Sequence, residues 1–315
     1  MAPSEVSWAE LPDDFYLPPA VAGPNITARS PFLVPQTHLA GPGLFLAMAT
    51  FMGLLVMLGV PLNTLTILCG ARYRKLRSPL NYILVNLAGA NLLVAGVGST
   101  TATYSFAHMY FSLGPAACKA EGFTATLGAT PLLFGWSRFI PEGLQCSCGP
   151  DWYTTNNKWN NESYVLFLFC FCFGLPLATI IFSYGRLLLT LRAVARQQEQ
   201  SETTQRAERE VTRMVVTMVL GFLACWLPYA SFALWVITHR GQPFSLALAS
   251  LPAVFSKAST VYNPIIYVFM NKQFRACMLK LIFCGKSPFG EEDETSTASQ
   301  STQMSSTSSS QVAPA

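Results

Sequence analysis

Five stretches of this chain are apolar for the length of a membrane crossing and carry few charges. They are Leu44–Cys69, Leu80–Phe106, Tyr164–Leu189, Val211–Ile237 and Phe244–Met270. A helix needs ~20 residues to cross ~30 Å of hydrocarbon, so the pattern predicts five spanning helices. Their prolines, Pro61, Pro176, Pro228, Pro252 and Pro264, suit a bundle in which neighbouring helices re-satisfy the freed carbonyls. A further stretch, Gly122–Trp136, has only 15 residues, among them three glycines, three threonines and a proline. It is too short to span.

Composition agrees with the pattern. Of 315 residues, 51% are apolar and 11% charged, against about 25% charged in a soluble domain. This excludes a two-domain cytosolic enzyme. The net charge of +4 is too small and scattered for a nucleic-acid partner, and nine cysteines spread over apolar segments are no small disulfide scaffold. Residues 1–43 are polar and Pro-rich, with a glycosylation acceptor at Asn25-Ile26-Thr27. Met1–Glu10 has neither the basic nor the apolar part of a cleavable leader, so the first span is expected to target the chain.

Lysine and arginine set the orientation. Arg72, Arg74, Lys75 and Arg77 follow the first span; six arginines lie in Arg186–Arg213; Lys272, Arg275, Lys280 and Lys286 follow the last. These stretches are expected in the cytoplasm, with the N-terminus outside. The count then conflicts with the chain between spans two and three, where zero or two crossings are required and only the short Gly122–Trp136 stretch exists. That stretch either re-enters, lies at the interface, or is the remnant of two longer spans.

Lys257 stands near the middle of an apolar span, where an ammonium costs several kcal/mol. A desolvated amine can attack an aldehyde; a lysine paired to a carboxylate or lining a water path is the alternative. Glu121 is the natural counter-charge, or else an interfacial residue beside Lys119. Cys118, Cys146 and Cys148 lie on stretches placed outside, where disulfides persist, and a Cys118–Cys148 bond would pin the loop over the bundle. Cys170, Cys172 and Cys225 are expected to pack as small apolar residues. Asn271–Cys284 is amphipathic and suits a helix on the inner membrane face, with Cys284 either acylated or a free thiol. The tail carries four acidic residues and then twelve Ser/Thr between Thr295 and Ser310, a composition typical of disorder and of phosphorylation.

Further motifs complete a pattern: Cys225-Trp226-Leu227-Pro228, Asn263-Pro264-Ile265-Ile266-Tyr267, Asn63 and Asn91 in the first two spans, and Ile140-Pro141-Glu142 running to Cys146-Ser147-Cys148. Together with Lys257 and with Glu121 three residues after Cys118, they resemble the rhodopsin-type G-protein-coupled receptors, and among them the vertebrate visual opsins of the short-wave, blue-sensitive cone class. The resemblance implies an all-α seven-helix membrane bundle, of which about five full spans and a short remnant are present. It implies 11-cis-retinal on Lys257 as a protonated Schiff base, Glu121 as counterion, Glu142 as a second carboxylate and a Cys118–Cys148 disulfide. Trp226, Tyr229, Phe222, Ala230 and Ala253 would line a pocket poor in hydroxyls. Glu210, Asn263, Pro264 and Tyr267 would serve activation toward a transducin-like G protein. A receptor kinase and arrestin would act on the tail, Asn25 would be glycosylated and Cys284 lipidated, and the membrane would be that of the photoreceptor outer segment.

The chain departs from the family in two places. Asn91 stands where such receptors usually carry Asp. Between Gly128 and Thr130 roughly 45–50 residues are missing, about what two partial spans and a loop require. The inner half of the third span, its arginine motif and most of the fourth are absent. The expectation is that this chain folds poorly, holds little retinal and couples weakly. A non-signalling truncated splice product, retained in the endoplasmic reticulum, an incomplete gene model, and a retinal-binding photoisomerase are the alternatives.

Overall fold

The computed structural model describes residues 14–16, 30–77, 79–126, 136–154, 160–197, 202–239, 242, 244–270 and 272–283. Helices dominate. Helix α1 spans Pro42–Arg72, with Pro61 inside it. Helix α2 (Pro79–Leu93), a π-helical segment Val94–Ser99 and α3 (Thr100–His108) run on without a break as one rod. Helix α4 covers Gly114–Ala125. Another rod joins α5 (Asn161–Phe167), a π-helical segment Leu168–Gly174 and α6 (Leu175–Gln197). Helix α7 runs from Glu202 to Thr238 around Pro228. The last apolar stretch is two helices, α8 (Leu246–Lys257) and α9 (Ser259–Met270), that meet at Ala258. Helix α10, Lys272–Ile282, follows.

Among the described residues, four helical stretches are long and apolar enough to span: Pro42–Arg72, Leu84–His108, Asn161–Ser183 and Val219–Thr238. The fifth predicted span is divided beside Lys257, into two 12-residue helices. Each is about 18 Å long, too short to cross alone.

The proline in α9 shows how such a bundle stays satisfied. Pro264 has no N–H to give the carbonyl of Thr260, four residues earlier. Asn63, fully buried on α1, donates its Nδ2 to that carbonyl at 2.7 Å and to Gly59 O at 2.8 Å. Asn91 on α2 donates to Asn63 Oδ1 at 3.3 Å. The three asparagine- and proline-bearing rods are thereby tied together. At the other end, Cys69 and Leu76 close on Phe274, Cys277 and Met278, holding α10 against α1.

The chain is not purely helical. Strands β1 (Phe139–Glu142) and β2 (Ser147–Pro150) pair antiparallel, with Phe139 opposite Pro150 and Glu142 opposite Ser147. The hairpin tip reaches the core, where Leu144 and Cys146 join Phe45, Met48, Met52 and Val254. Gly143 makes this possible. Its φ is +56°, and a Cβ there would lie 2.9 Å from the Ser250 backbone on α8. The Leu144 N–H donates to Ser250 Oγ at 2.7 Å. The sequence reading gave no strands here, because four-residue strands with a proline each carry no usable alternation.

Candidate functional site

Lys257 ends α8 with its ammonium inside the bundle, only 5% exposed. It ion-pairs with Glu121 Oε1, from the middle of α4, a carboxylate that is fully buried. Burial of two charges is tolerable only when they are paired and hydrogen-bonded, and here both are. Ser147 on β2 accepts from Lys257 Nζ at 2.7 Å and donates to Glu121 Oε1 at 2.9 Å. Thr101 on α3 donates to Glu121 Oε2 at 3.1 Å. Four elements thus converge on one ion pair. Lys119, the other partner considered for Glu121, faces outward and meets Asp14 at 3.7 Å.

Beside the pair lies a cavity of about 440 Å³, within the size range of small-molecule sites. Lys257, Glu142, Phe222, Trp226, Tyr229, Ala230 and Ala253 all line it, joined by both π-helical segments through Val94, Leu168, Phe169, Cys172 and Phe173. π-Helical turns are frequent at functional sites, and nothing in the sequence had marked these. The wall is less poor in hydroxyls than expected: Thr124, Thr126, Ser256, Ser259 and Thr260 contribute. The α7 side is apolar apart from Tyr229.

Glu142, at the end of β1, is 6% exposed. Tyr229 OH donates to its Oε2 at 3.1 Å, and Trp152 Nε1 donates to Tyr229 OH at 3.1 Å. Burial is the largest influence on this carboxyl and raises its pKa from the usual 4.5 to about 7, against the lowering effects of Lys257 and the Tyr229 hydrogen bond. The carboxyl has room because residue 149 is glycine: a Cβ there would sit 2.7 Å from Oε2.

The hairpin is held from below and above. Cys118 on α4 and Cys148 on β2 form a disulfide, with Cα atoms 5.3 Å apart. Arg138 Nε donates to Asp151 Oδ2 at 2.8 Å, and Asp151 Oδ1 accepts from the N–H groups of Tyr153 and Thr154 at 3.1 and 2.9 Å. Sequence reasoning missed this buried pair, as it missed Ser147, Thr101 and Trp152. Their residue types carry no signal without their neighbours.

Three comparisons bear on identity. Residues 123–267 match the seven-transmembrane receptor (rhodopsin family). The blue-sensitive opsin of Gallus gallus is 65% identical, with 97% of this chain and 98% of that protein aligned. The chain belongs to the visual opsins, within the rhodopsin family of receptors. The blue-sensitive opsin of Psalidodon fasciatus is 58% identical over 94% of the chain and 97% of its own length. Squid rhodopsin, at 19% identity and a TM-score of 0.69 over 93% of this chain and 98% of its own, shares the fold. This opsin is therefore a signalling receptor of the membrane.

The alignments also measure what is missing. With Gallus gallus, 97% of 315 residues is about 306, yet 353 positions are aligned, so about 47 face nothing in this chain. That is the size of the loss expected between Gly128 and Thr130; residues 127–135 themselves lie outside the described residues.

The remaining site residues are dispersed. Asn263 is half-buried and Pro264 buried on α9, away from the cavity lining. Glu210 and Tyr267 fall on α7 and α9, but their side chains lie outside the described residues, as do Asn25, Cys284 and the acidic Ser/Thr tail. Cys225 is buried, as a packing residue should be, whereas Cys170 and Cys172 are exposed. Cys172 is open to the cavity it helps to line. Asn161, a second acceptor pattern, is 3% exposed; it accepts from Ser137 Oγ at 2.8 Å and donates to Thr154 O at 3.3 Å. Its amide is committed inside the fold and closed to a glycan.

Proposed function

We propose that this opsin is a blue-sensitive light receptor that holds 11-cis-retinal on Lys257 as a protonated Schiff base, with Glu121 as the counterion. The observation that carries the reading is a buried amine, paired to a buried carboxylate, at the wall of a largely apolar cavity. When bound, retinal supplies the light-absorbing polyene and a change of shape on isomerisation. Glu121 keeps the positive charge of the Lys257 nitrogen in place, because a charge in a dry site needs a partner to remain. Ser147 and Thr101 hold the Glu121 carboxylate at a fixed angle. The hairpin excludes water from above, pinned by Cys118–Cys148. Trp226 and Tyr229 on α7 line the same cavity, so a change of shape within it presses on the Pro228-bearing helix. Such a bundle is a two-state element biased by its ligand.

The partners proposed are a transducin-like G protein on the inner surface, including Glu210, and a receptor kinase and arrestin on the Ser/Thr tail, in the photoreceptor outer segment membrane. The missing positions favour a second reading for this exact chain: the retinal-holding end is built, but without its arginine motif the inner face couples weakly and pigment yield is low. Lys257→Ala in a chain with the missing segment restored tests the first reading. The visible absorbance band formed with 11-cis-retinal should disappear, and an unchanged band would overturn the attachment. Running the unaltered short chain beside it tests the second; wild-type pigment yield with full G-protein activation would overturn that.

A further inference from the structure

The indole of Trp152 stands against Tyr229 at the wall of the site. Trp152 is 7% exposed, its ring stands edge-on to Tyr229 at 85° with centroids 5.3 Å apart, and it lines the cavity. Indole N–H is a donor and never an acceptor. With Trp152 Nε1 donating to the Tyr229 oxygen at 3.1 Å, the Tyr229 hydrogen is left to point at Glu142 Oε2, also at 3.1 Å. Chains of hydrogen bonds polarise one another, so the indole makes Tyr229 a better donor to the carboxylate. We propose that Trp152 is a positioning residue: through the Tyr229 hydroxyl it orients Glu142 and sets the charge that carboxyl presents to the cavity, and so the colour and pH response of the pigment.

Other charged and titratable groups act on Glu142 from every side. Lys257 on α8 favours its ionised form, Glu121 on α4 opposes it, and Tyr229 on α7, with a smaller contribution from Trp152, favours it by donating. Tyr153, next to Trp152, is itself raised well above the usual tyrosine range, by burial first and then by Glu142, and stays neutral. Because Glu142 ionises at about 7, a modest change in donation redistributes its two forms at physiological pH.

The colour consequence rests on the retinal reading above; the effect on Glu142 does not. It is therefore read first without retinal, in membranes of the full chain, by infrared titration of the protonated carboxyl band that Glu142→Gln removes. Trp152→Phe should raise the midpoint by about half a pH unit, and Tyr229→Phe by about one, since the latter removes the bond to the carboxylate itself. Trp152→His, which keeps a ring N–H, should restore part of the shift. In a Tyr229→Phe background, Trp152→Phe should add nothing. An unmoved midpoint in Trp152→Phe, or the same shift with Tyr229 already removed, would overturn the proposal. If Trp152→Phe does not fold, Trp152→Leu takes its place with the same expected rise of about half a unit, and an unmoved midpoint overturns the relay. With retinal bound, the absorption maximum of Trp152→Phe should shift between pH 6 and 8 over a range displaced from wild type; failure of this arm alone counts against the retinal reading.

Discussion

The hairpin and the rod that follows it are neighbours in sequence and opposites in environment. All sixteen residues from Phe139 to Thr154 are buried. In the most apolar window of Asn161–Ser183 only 6% are. Yet the rod is the more hydrophobic of the two, with Leu166, Phe171, Leu175, Ile181 and Phe182 all exposed. The difference lies in who satisfies the backbone. A helix pairs its own N–H and C=O groups, so its sides can face lipid. A hairpin of two four-residue strands cannot, so it must sit where strand partners, Ser250, Asp151 and Ser147 answer its polar groups. Burial here follows hydrogen-bond need rather than hydrophobicity.

That contrast can be broken most completely at its centre. Beyond the loss of pigment expected for Lys257→Ala, Cys148→Ser frees β2 from α4. Losing a native disulfide costs about 2–5 kcal/mol, and the outer lid would no longer hold Ser147 over the ion pair. Retinal-binding yield should fall to near background while total chain expressed falls less; both are measured by absorbance at matched protein. Arg138→Met leaves the fully buried Asp151 carboxylate without its cation. Removing one partner of such a pair typically costs about 3–5 kcal/mol; because Arg138 keeps 10% of its side chain exposed, the lower end is expected, read as a drop in thermal midpoint in detergent.

A milder probe separates charge from packing. Glu142 takes up its proton more readily folded than unfolded, so its contribution to stability is full below about 4.5 and is lost as pH rises through about 7. The thermal midpoint should therefore decline across that window, and Glu142→Gln should flatten the decline. A slope unchanged in Glu142→Gln would place its cause elsewhere. The smallest effect belongs to the rod: Phe182→Ala, at a side chain 70% exposed, should move the midpoint within the ±0.5 kcal/mol typical of outward positions. A large loss there would mean the rod's face is covered in the membrane.

Much of this was readable in the chain itself. Apolar runs over 20 residues long, with charges clustered between them, dictate membrane helices because hydrocarbon leaves few alternatives. Lys257 announced itself by standing where an ammonium is costly, and the shortfall within Gly122–Trp136 by the parity of the crossings; the family resemblance placed it between Gly128 and Thr130. What the chain could not reveal are arrangements made by distant partners. Ser147 matters because β2 places it between Lys257 and Glu121, which lie 136 positions apart. Trp152 matters because its donor finds Tyr229, 77 positions away. Asn63 matters because Pro264 leaves a carbonyl empty in front of it. Sequence determined the membrane helices and the intramembrane charge at Lys257 that had to be answered. Only tertiary structure decided which polar atoms answer them, because a hydrogen bond is fixed by position to a fraction of an ångström and no local pattern records that.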